Sequence, residues 1–131
     1  MTDIAVSNLQ KKIPVRIPVV SANIRKTIKA LKFFPPFLSI AFVGEKRMRR
    51  LNREYLGHDH MTDVITFDHG EVIVCPAMAR RNAKRFGNLV GREIMLCVVH
   101  GILHLCGYDD QAPADIERMR RKERQIMDLL K

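Results

Sequence analysis

Tryptophan is absent from this 131-residue sequence, and two tyrosines with six phenylalanines bring the aromatic share to only 6%. Such scarcity gives little sign of a base-stacking platform, so a bound nucleic acid would be held mainly through its phosphates. Cysteine is sparse too. Cys75, Cys97 and Cys106 are odd in number and form no C-x-x-C pair, which suits small core residues in a reducing cytoplasm rather than a disulfide framework. No apolar run approaches the roughly 20 residues of a membrane-spanning helix, and "MTDIAVSNLQKKIPVRIPVV" lacks the basic-then-apolar order of a secretory signal. A cytoplasmic protein with no membrane partner is expected. Internal repeats, linkers and low-complexity tracts are missing as well, so residues 1–131 read as one domain, and 47% apolar residues are enough for a compact core.

Negative charge is the last shortage. Fourteen acidic residues against 23 lysines and arginines leave a net charge of +9, with an isoelectric point near 9.9. A surplus of this size favours a polyanionic partner, with RNA or DNA the commonest. The basic residues cluster on predicted helices, with Arg49 and Arg50 on one, Arg81 and Arg85 on a second, and Arg118 to Arg124 on a third. The first four are the expected nucleic-acid contacts.

The pattern of the chain predicts an α+β fold with a small mixed sheet of about four strands, packed with helices. Strands are expected at 3–9, 37–43, 62–67 and 71–75, the last two as an antiparallel hairpin around "DHG". Helices are expected at 23–33, capped by Ser21 or Asn23, then at 44–57, 76–87, 91–106 and along the tail, where Ile116, Met119, Ile126 and Leu130 would face inward. The segment "GREIMLCVVHGILHLC" has almost no polar face, which marks a central buried helix.

That helix carries His100 and His104. Residues four apart project from one helix face about one turn apart, a spacing that suits two imidazole ligands on one zinc ion. Gly107 stops the helix, and Asp110 beyond the turn can swing back as an oxygen ligand. Three protein ligands leave one position open, the pattern of catalytic zinc. One Zn2+ per chain at His100, His104 and Asp110, at the end of the central helix, is the expected centre. The H-x-x-x-H-x-x-G-x-x-D spacing is shared with metzincin peptidases, whose general base follows the first histidine. Here that residue is Gly101, so the peptidase reading loses its base. His58, His60 and His69 are expected to be solvated loop residues.

Read as a whole, "HGILHLCGYDD" at 100–110 resembles the "HGxLHLxGYDH" hallmark of the YbeY-type bacterial endoribonucleases, the rRNA maturation factors. "YLGHDHMTDVITF" at 55–67 is similar to their "YRGxDxPTDVLSF", and "GEVIVC" at 70–75 to their "GDIxIC". The resemblance implies a small cytoplasmic α+β enzyme holding one zinc. Its activity would be cleavage of single-stranded RNA, with roles in maturing the 3′ end of small-subunit (16S) rRNA and in ribosome quality control. Two positions depart from the pattern: Asp110 stands where the family usually has histidine, and Leu56 where it usually has an active-site arginine. Asp109 and Asp63 are the candidate proton carriers or orienters of the histidines. Arg53, three residues before Leu56 on a predicted helix face, is the candidate phosphate clamp. The rival expectation is a zinc-containing ribosome-assembly factor that binds rRNA or ribosomal protein and cleaves little.

Overall fold

The computed structural model of the chain describes residues 1–57 and 62–130. Strand β1 (Asp3–Asn8) leads through helix α1 (Ile17–Leu31) to β2 (Phe37–Phe42) and the short helix α2 (Glu45–Leu51). The hairpin β3 (Val64–Phe67) and β4 (Glu71–Val74) follows, then α3 (Pro76–Phe86), α4 (Val90–Leu105) and α5 (Pro113–Leu129). The strands form one four-stranded sheet in the order β1-β2-β4-β3. β1 runs parallel to β2 and β2 to β4, while β3 is antiparallel to β4 at the edge. The α+β expectation and the mixed sheet hold.

Alternation along the strands separates two cores. Leu38, Ile40 and Phe42 of β2, with Val72 and Val74 of β4, face α1, α4 and α5 and form the main one. Ile65 and Ile73 point the other way and pack with Val43, Cys75 and Met48 of α2. Cys75 and Cys97 are buried free thiols, and Cys106 is partly buried. Burial pushes all three thiols above their usual pKa, which suits packing rather than reactivity. No single helix among the described residues is long and apolar enough to cross a membrane.

Two helix expectations need correction. α1 begins at Ile17 rather than at Asn23, with Pro18 in its first turn and no side-chain cap. Ser21 and Asn23 therefore lie inside the helix. Proline is pre-shaped for a first helical turn and lacks only an N–H that would be unsatisfied there anyway, so it sets the start without a polar cap. The predicted helix at 44–57 is α-helical only to Leu51 and closes with a single π-helical turn over Asn52–Leu56, ended by Gly57 at φ 70°. On α5, Met119, Ile126 and also Met127 are buried, whereas Ile116 and Leu130 are half-buried.

α4 is the centre of the packing, touching α3, α5, α1 and the β3–β4 hairpin. It lies so close to the sheet that a Cβ added at Gly101 would fall 2.4 Å from Val72 Cγ1 and 3.3 Å from Thr66 Oγ1. The missing peptidase base at this position thus has a physical cause, since no side chain fits. In an open helix interior Gly→Ala gains roughly 0.5–1 kcal/mol. Against a buried β-branched neighbour the overlap dominates, and Gly101→Ala should cost about 1–3 kcal/mol. Urea denaturation measures the difference; a variant as stable as the parent would show that α4 can lift from β4 without penalty.

Candidate metal centre

α4 delivers its two imidazoles as the spacing predicts. His100 Nε2 and His104 Nε2 lie 3.1 Å apart, with their rings nearly perpendicular at 79°. The helix then stops in a Schellman turn: Tyr108 N–H donates to Leu103 O, Gly107 N–H donates to His104 O, and Gly107 takes φ 107°. Tyr108 packs against the main core and anchors the turn. Asp109 Oδ1 accepts the Asp110 N–H at 2.8 Å, and Asp110 Oδ2 comes back to 3.4 Å from both Nε2 atoms.

The three donor atoms thus form a triangle with edges of 3.1, 3.4 and 3.4 Å. For ligands about 2.0–2.1 Å from a tetrahedral ion, neighbouring donor atoms stand about 3.3–3.4 Å apart. The residues fit a divalent ion such as zinc without rearrangement. Asp110 remains 42% exposed, so the open side of the triangle faces solvent across a cavity of about 710 Å³ lined by Leu56, Thr66 and Asp68 among others.

A fourth residue completes the centre, and the sequence reading missed it. Glu123 Oε2 of α5 accepts a hydrogen bond from His100 Nδ1 at 2.5 Å. That bond places the ring proton on Nδ1, fixes the ring and leaves the Nε2 lone pair for the metal. Burial pushes the His100 pKa down, but the Glu123 hydrogen bond and charge, aided by Asp110 and Asp63, outweigh it and hold the pKa above the usual histidine value. The same negative field that favours a proton favours a cation. A signal for Glu123 was present: it lies four after Met119 and three before Ile126, on the buried stripe of α5, where an unpaired carboxylate is costly.

The other expected site residues are dispersed. Asp63 lies beside His100 and ties elements together, accepting from Asn82 Nδ2 at 3.1 Å and Cys97 Sγ at 3.6 Å. Asp109, exposed, shapes the turn that carries Asp110. Leu56 lines the metal cavity, but Arg53 does not. Arg53 lines a separate groove of about 320 Å³ with Lys46, Arg49, Arg50 and Glu45. The expected sharing of one face by Arg53 and Leu56 presumed α-helical spacing, and the wider π turn moves such a pair apart. Arg81 pairs with Glu45 at 2.9 Å, joining α3 to α2, and the Arg85 guanidinium lies 5.4 Å from the Phe86 ring centroid. His69 is exposed at the hairpin turn, 3.6 Å from Glu71. His58 and His60 lie outside the described residues.

Comparison with known proteins gives the arrangement its context. A family model described as "Endoribonuclease YbeY" matches residues 5–131. A protein of that name from Chlorobium phaeovibrioides is 41% identical over 96 residues, which cover 68% of this chain and 65% of the relative. One from Bacteroides thetaiotaomicron is 34% identical over 97 residues, 69% of this chain and 71% of the relative. The matched region thus spans about two thirds of these relatives' length. Among solved structures, a solution structure of a Thermotoga maritima protein superposes with a TM-score of 0.72 at 27% identity, covering 98% of this chain and 89% of that one.

The hydrogen bond from His100 to Glu123 makes α5 part of the centre. Glu123→Ala should weaken zinc binding about 10- to 100-fold, read by competition with a chromogenic chelator, while circular dichroism stays unchanged. Glu123→Gln should fall in between. Parent-like affinity in Glu123→Ala would remove Glu123 from the centre.

Proposed function

The chain belongs to the YbeY endoribonuclease family, and on that premise we propose that it is a zinc-dependent endoribonuclease that cleaves single-stranded RNA. Its proposed substrate is small-subunit (16S) rRNA at the 3′ end, and its setting is the cytoplasm, where it matures that end and takes part in late ribosome quality control with the small ribosomal subunit as partner. One observation carries the reading: a three-ligand triangle of tetrahedral dimensions, already braced by Glu123 and open to a cavity. A divalent ion held there supplies Lewis acidity toward a phosphodiester and activates water at neutral pH.

The chain's own residues supply the rest. Glu123 keeps His100 in one tautomer, and His104 is held in line by the buried helix beneath it. Asp110, as a carboxylate in place of an imidazole, adds negative charge and moderates the ion's acidity. Asp109, exposed beside the third ligand, is positioned to exchange a proton with bulk water. Arg49 and Arg50, in the groove they share with Arg53, and Arg81 and Arg85 on α3 would attract the phosphate backbone before it reaches the metal. Arg53 would act from that groove, as an RNA contact rather than a clamp on the scissile phosphate.

A second reading has its own observation. Leu56, an apolar side chain, lines the metal cavity and cannot contact a phosphate. It favours a zinc-containing ribosome-assembly factor that binds rRNA or ribosomal protein and cleaves weakly.

A cleavage assay separates the two. The zinc-loaded protein should cut single-stranded but not duplex RNA, lose activity with chelator and regain it with zinc. His104→Ala should lose both metal and cleavage. Leu56→Arg should raise the rate several-fold at unchanged zinc content. Cleavage indifferent to chelator would overturn the metal mechanism, whereas RNA binding without cleavage in both parent and Leu56→Arg would give the assembly-factor reading the lead. In either case binding should weaken log-linearly with salt.

A further inference from the structure

Three rings that composition alone could not place together meet on the sheet face opposite α4. Tyr55 of the π turn stands edge-on to Phe67 of β3, with ring centroids 5.4 Å apart at 82°, and His69 stacks on Phe67 at 5.9 Å and 20°. They line a groove of about 380 Å³ whose floor is Val43 and Ile73, with Arg47 and Glu71 also in its lining. That volume lies in the range of pockets for small organic ligands, roughly 300–1,000 Å³. Tyr55 is 62% exposed, so its ring is accessible to a ligand from solvent.

The groove and the metal cavity are separate hollows that adjoin at the edge strand. Tyr55 lines the groove and the next residue, Leu56, lines the metal cavity; Phe67 and Asp68 divide in the same way. The two hollows therefore flank β3, one on each face of the sheet. We propose that the aromatic groove seats a nucleobase of the single-stranded RNA whose backbone crosses the β3 edge to the metal centre. This rests on the endoribonuclease reading above and names a binding subsite for it.

The chemistry fits that occupant. An unstacked base offers a flat apolar face to ring faces and edges. Glu71 can accept from an exocyclic amino group, and Arg47 can meet a flanking phosphate. The chain's charge of +9 favours a polyanion over an apolar protein segment. A duplex, with its bases stacked inside, would have none to offer, so the groove would also select for single strands.

The experiment is binding of a 5′-labelled single-stranded RNA oligonucleotide to the full chain by fluorescence anisotropy, with zinc and in parallel with EDTA. Tyr55→Leu keeps apolar bulk and removes the ring. It should weaken binding roughly 5- to 100-fold, leaving melting temperature, zinc content and the salt slope unchanged. Tyr55→Phe should bind as the parent does. Replacing one base by an abasic site should weaken parent binding similarly and add little in Tyr55→Leu. If the parent binds and cleaves RNA but Tyr55→Leu binds equally well, the base subsite is wrong, the endoribonuclease reading stands, and the groove belongs to another occupant such as a protein side chain. If the parent binds no single-stranded RNA at all, both fall.

Discussion

At Gly101 the helix that carries the two candidate histidine ligands meets the sheet with only a hydrogen atom's space between it and Val72. Much of the molecule depends on that contact. It fixes the depth and rotation of α4, and so the direction in which His100, one residue earlier, and His104, one turn later, project. Because Thr66 of β3 is the other neighbour of Gly101, the same contact brings the imidazoles to the edge strand. A larger residue there would lift α4 off the sheet and disturb the one helix against which α1, α3 and α5 all pack.

The electrostatics of the centre run opposite to those of the chain. A protein of net charge +9 gathers Asp63, Asp68, Asp110 and Glu123 around two histidines. An acidic cleft in a basic molecule would repel the phosphates that the basic helices are proposed to attract. A divalent ion held by His100, His104 and Asp110 would offset that repulsion, so on the proposed reading the ion would serve both the chemistry and the admission of substrate. The buried Cys97 is not among the three residues that could hold the ion; its thiol donates to Asp63, and burial, with that carboxylate, holds its pKa well up.

How much of this was legible depended on sequence distance. His100, His104, Gly107 and Asp110 lie within two turns and a loop, and local helix geometry is enough to bring them together. The hairpin was equally legible, because period-two alternation on either side of "DHG" leaves little choice. Glu123 stands among the arginines and glutamates of α5, and only its spacing from Met119 and Ile126 sets it apart from a surface charge; its partner on α4 becomes visible when the two helices dock. Helix α1 starts earlier than its polar residues suggest because a proline, not a polar cap, opens it. The π turn carried no recognisable signal, and with it went the expected partnership of Arg53 and Leu56. The aromatic cluster was invisible for a related reason: counting rings says nothing of which sheet face they share.

The ligand triangle has a consequence for the life of the protein. Its side chains are held by a helix inside the main core, by a backbone-bonded turn and by a carboxylate from a neighbouring helix, none of which needs an ion to exist. In a zinc finger the metal is a pillar, and its loss brings the structure down. Here the proposed ion would be closer to a tool in a socket. On that reading the protein would pass through a spell of metal scarcity folded, and would recover by binding an ion rather than by refolding.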